Sequence, residues 1–268
     1  MIQKQSSKNK NDNERIIYYN DELNDEFSGK NIIPRNIDST YKYIHKNPFW
    51  NIASFLLRKL VITPVKYIYP KVKFDIEIVG KEKLKKYKNV PYFLYANHTQ
   101  VFADTIIPTL AVGRKSNSFI VNPENVSMKY LGNIVQMLGA IPIPNKIDGM
   151  ENFINAIKNK IDKNNVITIY PEAHIWPYYT KIRPFSNVSF KYPVEYNTPV
   201  FCLTNTYVKS KNSKKPKIIT YIDGPFFKDD SLNKKMQKQK LRDTVYECML
   251  KRSKNSNFEY IKYIKNEK

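Results

Sequence analysis

The chain has 268 residues, 41% of them hydrophobic, and 45 Lys and Arg against 24 Asp and Glu give a formal net charge of +21. That excess predicts attraction to polyanions but does not choose between lipid headgroups, nucleic acid and an acidic carrier protein. With 7 Gly, 2 Cys and 3 His, the composition argues against a glycine-rich phosphate loop, a disulfide framework and a metal site, and the free cysteines predict a reducing cytosol.

The first 72 residues divide into two segments of different character. Residues 1–45 are polar and rich in Lys and Asn, which predicts a mobile arm with a short helix near Tyr18 to Phe27. Residues 46–72 contain an apolar helical run that Pro64 is expected to end. This amphipathic segment is too short and too charged to span a bilayer, so two interpretations stay open: a helix lying in the lipid interface, or a helix packed on the core.

Residues 73–268 are predicted to form one α/β domain, because buried apolar runs alternate with stretches of helical periodicity. The expected fold is a mixed, largely parallel sheet flanked by helices, with the amphipathic segment in front of it. The predicted strands cover 74–79, 91–96, 118–121, 166–170, 199–203 and 218–222, and the predicted helices cover 101–112, 128–138, 150–161 and 231–252.

The first polar cluster directly follows the predicted strand 91–96, at a strand end where α/β folds usually place their sites. Asn97 and His98 stand there, and Asp104 comes six positions after the histidine. A carboxylate that accepts a hydrogen bond from one imidazole nitrogen leaves the other nitrogen basic. Six residues along a regular helix turn through about 240°, so the pair meets only if His98 lies on the loop and Asp104 inside the helix. A polar strand-end histidine and a solvated helix aspartate are the alternatives.

The second polar cluster, Tyr170-Pro171-Glu172, follows the predicted strand 166–170. With Lys181 and Arg183 downstream, its carboxylate is expected to help bind a polar head group. A helix-capping or salt-bridged role for Glu172 is the alternative, and His174 is either a second head-group ligand or a packed residue.

Four blocks occur in a fixed order: Asn97-His98 with Asp104, Gly139-Ala140-Ile141-Pro142-Ile143-Pro144-Asn145, Tyr170-Pro171-Glu172, and Pro199-Val200. Together with the run from Phe185 to Leu203, this order resembles the 1-acylglycerol-3-phosphate acyltransferase family of glycerolipid acyltransferases. The resemblance covers about residues 75–225, and four ordered blocks are more specific than any one of them.

The resemblance implies transfer of an acyl group from acyl-CoA or acyl carrier protein to the hydroxyl of a lysophospholipid, in phospholipid biosynthesis, with no cofactor and no metal. His98 would be the general base and Asp104 its orienting partner. Asn97, Pro171 and Glu172 would contact the substrate. The enzyme would be peripheral or monotopic on the cytoplasmic face of an anionic membrane surface, with no nucleic acid as partner.

The sequence departs from the family pattern in four places, one of which, Val188 in place of a glycine near the end of the third block, indicates an altered loop. Five residues separate His98 from Asp104 where the family has four, Asn145 replaces an arginine, and Ala173-His174-Ile175 replaces Gly-Thr-Arg. An ammonium cannot make the two parallel hydrogen bonds by which a guanidinium holds phosphate. The alternatives are therefore an acyltransferase of this fold with another acceptor, or a non-catalytic lipid-binding relative. The cations expected to compensate are Lys146, Lys181 and Arg183.

Overall fold

The computed structural model of the chain describes residues 15–27, 29, 32–73, 75–129, 131–211 and 213–267. Nine strands run through this part of the chain. They are β1 (Arg15–Tyr19), β2 (Ile76–Val79), β3 (Tyr92–Ala96), β4 (Asn117–Val121), β5 (Ala140–Pro142), β6 (Val166–Ile169), β7 (Val200–Val208), β8 (Lys217–Phe226) and β9 (Ile261–Lys265).

In the order of the chain, the first two helices precede the strands of the main sheet, and the other helices occur between its strands or after them. They are α1 (Pro48–Leu56), α2 (Thr63–Lys73), α3 (Lys81–Lys85), α4 (Ala103–Val112), α5 (Glu124–Ser127), α6 (Gly132–Met137), α7 (Met150–Asp162), α8 (Lys191–Glu195) and α9 (Lys234–Ser253). A π-helical turn, Leu57–Ile62, joins α1 to α2, and 3₁₀ turns cover Ile147–Gly149 and Val188–Phe190.

The main sheet has seven strands in the order β2-β8-β7-β3-β6-β4-β5, and every neighbouring pair is parallel except β7 and β8. This confirms the predicted mixed, largely parallel sheet. β3 lies in the middle, with Tyr92 level with Val166 of β6 and Phe93 level with Val200 of β7. Because β3, β6, β4 and β5 are parallel, the segments that follow them all leave from one edge of the sheet.

The central strands β3 and β6 are buried along their whole length because both faces of the sheet are covered. All five residues of β3 and all four of β6 are buried. Phe93 and Tyr95 pack into a core cluster with residues of α7 and α9, whereas Leu94 and Ala96 pack with residues of α4 on the other face. This double covering fixes the end of β3, and with it the loop that carries His98.

The helix that begins at Pro48 does not end at Pro64, so that sequence prediction is wrong. The chain passes from α1 through the π-helical turn into α2, and Pro64 is the second residue of α2. Such turns absorb an extra residue inside a helix, and the backbone N–H of Thr63 bonds to Arg58 O across this one. No helix among the described residues is both long enough and apolar enough to cross a membrane.

The described part of the N-terminal arm is packed on the domain, contrary to the predicted mobile arm. Its strand β1 pairs in parallel with β9 in a separate two-stranded sheet. The helix predicted near Tyr18 to Phe27 is absent there, because Arg15–Tyr19 is a strand and turns follow it. Tyr19 and Phe27 pack against Trp176, and Ile37 is fully buried. Residues 1–14 of the arm lie outside the described residues.

Candidate active site

The loop between β3 and α4 brings His98 and Asp104 together. His98 lies two residues after the end of β3, and Asp104 is the second residue of α4. The distance from His98 Nδ1 to Asp104 Oδ2 is 2.7 Å. An ionised carboxylate has no proton to donate, so the hydrogen in this bond belongs to Nδ1. The loop absorbs the extra residue of the spacing before the helix begins, which is the arrangement that the six-position separation requires.

The side chains of His98 and Asp104 are both largely buried, and His98 retains some exposure to solvent. The side chain of Asp104 is 3% exposed and that of His98 is 17% exposed. Burial raises the pKa of Asp104, and hydrogen bonds from His98 and the backbone N–H of Gln100 oppose that rise. Within the described residues nothing hydrogen-bonds Nε2 of His98, so this nitrogen remains to accept a proton from a hydroxyl group.

Tyr170 forms one wall of this pair, a role that the sequence interpretation missed. Its ring stacks on the imidazole of His98 with 4.3 Å between centroids and 22° between planes. Its hydroxyl donates a hydrogen bond to the main-chain oxygen of Asp104. The strand register was the available signal: Tyr95 is level with Ile169, so Tyr170 leaves the sheet beside the start of the His98 loop.

Asn97 holds the end of β3 to β7 instead of facing a substrate. Its Nδ2 donates to Asn205 O at 3.0 Å, and its Oδ1 accepts from Asn205 N at 2.8 Å. The Asn205 side chain reaches Asp104 Oδ1 at 3.4 Å. Because Asn97 is buried and both ends of its amide are engaged, the structure replaces the predicted substrate contact with a positioning role.

Glu172 is likewise a buried positioning residue. Its Oε2 accepts the backbone N–H of His98 at 2.9 Å, and its Oε1 accepts the backbone N–H of Arg183 at 2.9 Å. Burial raises the pKa of Glu172, and the positive charge of Arg183 opposes that rise. The predicted contact with a head group is therefore replaced by support of the His98 main chain. Pro171 is half-buried just before it, and its predicted substrate contact stays a prediction.

Arg183 is not free to hold a phosphate group. Its guanidinium lies 3.6 Å from Glu172 Oε2 and 4.9 Å from the Trp176 ring, and its side chain is 1% exposed. The Nη atoms donate to the main-chain oxygens of Glu22 and His174. Glu22 of the arm and His174 thus occupy the two terminal nitrogens that were predicted to bind substrate, while the buried Nε has no partner among the described residues.

The exposed cations predicted to compensate, Lys146 and Lys181, form no hydrogen bond or ion pair with His98 or Asp104 among the described residues. Lys146 follows β5, and β4 and β6 separate that strand from β3. Three strand spacings amount to about 14 Å. Asn145, which stands where the family has an arginine, instead accepts the N–H of Ile37 and donates to Arg35 O.

One group of side chains has the spacing of a metal site within the described residues: Cys202, Asp223 and Cys248. Asp223 already forms ion pairs with Lys83 at 2.9 Å and Arg252 at 2.6 Å. Two cations at the carboxylate oppose a metal ion, so these residues do not fit one.

Comparison with known proteins agrees with the geometry. Residues 75–204 match the family model described as Acyltransferase. Among solved structures, the chain is similar to the crystal structure of the 1-acyl-sn-glycerophosphate (LPA) acyltransferase, PlsC, from Thermotoga maritima. The TM-score is 0.53 at 18% identity, over 78% of this chain and 89% of that one, which is a likeness of fold. No curated protein matches the chain significantly.

Proposed function

We propose that this chain, whose residues 75–204 belong to the Acyltransferase family, transfers a fatty acyl group from an acyl thioester to the hydroxyl of a lysophospholipid such as 1-acylglycerol-3-phosphate. The donor would be acyl-CoA or acyl carrier protein, and the product a phospholipid precursor. One observation carries the proposal: the 2.7 Å contact between His98 Nδ1 and Asp104 Oδ2, which leaves Nε2 for a hydroxyl.

In the proposed reaction, Nε2 of His98 takes the proton of the acceptor hydroxyl as its oxygen attacks the thioester carbonyl. The tetrahedral intermediate then collapses, the carbon–sulfur bond breaks, and the thiolate takes the proton back from the imidazolium. Atoms and charges balance without an acyl-enzyme and without a further cofactor. Asp104 keeps the proton on Nδ1 and stabilises the imidazolium that forms in between.

The surrounding residues would supply position and charge. Glu172 holds the His98 main chain and Tyr170 packs on the ring. We assign stabilisation of the oxyanion to main-chain N–H groups at the start of α4, where the helix dipole is positive. Of the two exposed cations, we assign Lys181 to the phosphate of the acceptor, because Lys146 follows β5, about three strand spacings from β3.

We further propose that the enzyme works at the cytoplasmic face of an anionic membrane, bound peripherally or monotopically. The continuous helix from α1 to α2 supports this, because it exposes a row of large apolar side chains to solvent. Apolar side chains on a basic helical surface suit a lipid interface. The exposed residues are Phe49, Ile52, Phe55, Leu56, Leu60, Val61, Tyr67 and Ile68.

A different acceptor is the second candidate. The observation that favours it is the engagement of Arg183 with Glu22, His174 and Trp176, and of Asn145 with the arm. With these side chains occupied, the acceptor phosphate loses the guanidinium contacts that the family pattern implies. A panel of lysolipids with different headgroups separates the two candidates by the mass of the product.

The test is acyl transfer by His98→Ala, with both thioester donors and 1-acylglycerol-3-phosphate among the acceptors. His174→Ala is the matched control, because this ring pairs with Glu26 at 3.0 Å and not with Asp104. We expect turnover to fall by roughly 10²–10⁴ in the first variant only. Undiminished transfer by His98→Ala would overturn the assignment. Vesicle binding without transfer by the unmodified chain would indicate a non-catalytic lipid-binding relative.

A further inference from the structure

A polar cavity of about 340 Å³ lies beneath α1, far from His98. Ser116 and Asn165, which stand just before β4 and β6, line its floor. Val166 is level with Tyr92, the first residue of β3, whereas His98 lies beyond the last one. At about 3.3 Å per strand residue, the cavity and the catalytic pair are about 15 Å apart along the sheet. The cavity is therefore not part of the proposed active site.

Three cations line this cavity: Arg58 from the π-helical turn, and Lys160 and Lys163 from the end of α7. No Asp or Glu belongs to its described lining, and none of the three cations forms an ion pair with a described residue. Arg58 Nε donates to Met137 O at 2.9 Å, which orients the guanidinium at the cavity wall.

The charge of this cluster is not balanced by its surroundings. The helices α6 and α7 both end near the cavity, and a helix C-terminus carries at most about half a negative charge. Two such ends leave an excess of about two positive charges. Burial lowers the pKa of Lys160 to about 8, and repulsion from Arg58 and Lys163 adds to the effect. A bound anion would remove this penalty, because an opposite charge favours the protonated lysine.

Two hydrogen-bonding atoms of the lining also lack partners within the described residues. They are Nε2 of His45 and Oγ of Ser54, and both are buried. Buried polar atoms are rarely left without a partner. The His45 ring stacks on Trp50 with 3.8 Å between centroids and 14° between planes, so its orientation is fixed beside the cations.

From this arrangement we propose that the cavity is a second phosphate-binding site, separate from the acyl-transfer site. A phosphate group offers several acceptor oxygens and up to two negative charges, which matches one guanidinium, two ammonium groups and two unpaired polar atoms. A phosphate alone does not fill the cavity, and the rings of His45 and Trp50 provide surface for the group that carries it. The phosphate belongs either to an anionic lipid or to a soluble phosphate compound.

The position of the cavity makes lipid the favoured source. Phe55 lines the cavity and is also exposed on the outer surface of α1, beside Ile52 and Leu56. A helix seated in the lipid interface would therefore bring phospholipid headgroups to the level of the cavity entrance. Binding of a headgroup in the cavity would fix the depth and the orientation of the domain relative to the membrane surface.

The test compares Lys160→Gln with Lys158→Gln in the full chain. Both variants lose one positive charge from α7, but Lys158 pairs with Asp162 outside the cavity. Binding is measured with inorganic phosphate by calorimetry, and with phosphatidylcholine vesicles with and without phosphatidate by co-sedimentation. Lys163→Gln, at an exposed position, is a second cavity variant if Lys160→Gln does not fold.

We expect the cavity variants to weaken binding about tenfold or more, because each removes a charged hydrogen-bond donor, and Lys158→Gln to leave it unchanged. If the difference appears on phosphatidate vesicles alone, the ligand is a lipid phosphate. If it appears with inorganic phosphate, a soluble phosphate is the source. Equal behaviour of the cavity variants and Lys158→Gln in both assays would overturn the proposal. Loss of acyl transfer in His98→Ala has no bearing on this outcome.

Discussion

Glu172 holds His98 by its main chain and not by its ring. The Oε2 atom of Glu172 accepts the backbone N–H of His98 at 2.9 Å, while Nδ1 of His98 contacts Asp104. The two carboxylates therefore have separate tasks, one on the loop and one on the imidazole. The other oxygen of Glu172 binds the N–H of Arg183, so the same side chain ties two loops together.

The first prediction concerns this buried tie. Glu172→Gln replaces one acceptor by an amide N–H₂ that faces a backbone N–H donor. We expect a loss of about 1–3 kcal/mol in the free energy of unfolding, and a lower kcat with a nearly unchanged KM for the acceptor. Denaturant unfolding and steady-state kinetics measure the two effects.

Arg183→Met supplies the control for that variant. Alone, it leaves the Glu172 charge buried without its partner, which costs about 3–5 kcal/mol. The double variant is expected to be less destabilised than the sum of the two single variants. Strict additivity in the double-mutant cycle would contradict the pairing.

The second prediction tests whether catalysis depends on the negative charge of Asp104 and not only on the size of its side chain. Asp104→Asn keeps the size of the side chain but no longer holds the proton on Nδ1, so we expect kcat to fall by roughly 10²–10⁴. Circular dichroism should remain unchanged. Asp148→Asn, at an exposed carboxylate near Ser39, should keep full turnover. A decrease of less than about threefold in the kcat of Asp104→Asn would contradict the orienting role of Asp104.

The third prediction tests the stacked ring. Tyr170→Phe retains the stack on His98 and loses one hydrogen bond, so we expect a cost of about 0.5–1.5 kcal/mol in stability and turnover within about tenfold of the unmodified chain. Tyr170→Ala also opens a cavity, which costs about 3–5 kcal/mol. Its kcat should fall further than that of the phenylalanine variant. Equal kinetics in the two variants would mean that the ring does not position His98.

The fourth prediction concerns the outer surface of α1. Phe49 and Ile52 are 79% and 56% exposed, so replacing both by Ser should leave the melting temperature nearly unchanged. Each apolar side chain that enters lipid contributes roughly 1.5–3 kcal/mol. We therefore expect at least about tenfold weaker vesicle binding in co-sedimentation. Met236→Ser, on α9, is the control for an exposed apolar residue elsewhere, and equal vesicle binding by the two variants would remove α1 from the membrane contact.

The fifth prediction is a pH dependence of stability. Burial raises the pKa of Asp223, but hydrogen bonds from Arg252 and Lys83 outweigh it and lower that pKa to about 2, from an ordinary value of 3.8. A folded-state pKa below the unfolded one stabilises the fold above the unfolded value, and this contribution disappears as pH falls toward about 2. Asp223→Asn should cost roughly 2 kcal/mol near neutral pH. In urea titrations its difference from the unmodified chain should shrink on acidification; a constant difference would contradict the assignment.

The elements that the sequence predicts best are those whose burial is decided locally. β3 and β6 are continuous apolar runs because helices cover both faces of the sheet, and α7 shows its buried face at spacings of three and four. The loop position of His98 also follows from local features, since a strand must end before a helix begins.

The remaining errors involve partners that are distant in the chain. Asn97 and Asn205 are 108 residues apart, so nothing near Asn97 distinguishes a substrate ligand from a clamp. The sequence alone predicts that Arg183 binds a phosphate, because nothing near Arg183 in the chain shows its hydrogen bond to Glu22 O of the arm. The sequence alone also does not show that β1 and β9 pair, because these short strands lie near opposite ends of the described chain and each gains stability from the other.

The pairing of β1 with β9 has a consequence for how the protein folds during synthesis. The ring of Tyr263 in β9 stacks on the ring of Trp176, and the backbone N–H of Trp176 donates a hydrogen bond to His98 O at 3.0 Å. During synthesis the seven-stranded sheet and α9 emerge from the ribosome before Ile261–Lys265 does. In a nascent chain, the loop that carries His98 therefore lacks the contact through Trp176 and Tyr263 until β9 has been synthesised and has paired with β1. The His98 loop therefore gains its full support only once β9 pairs with β1.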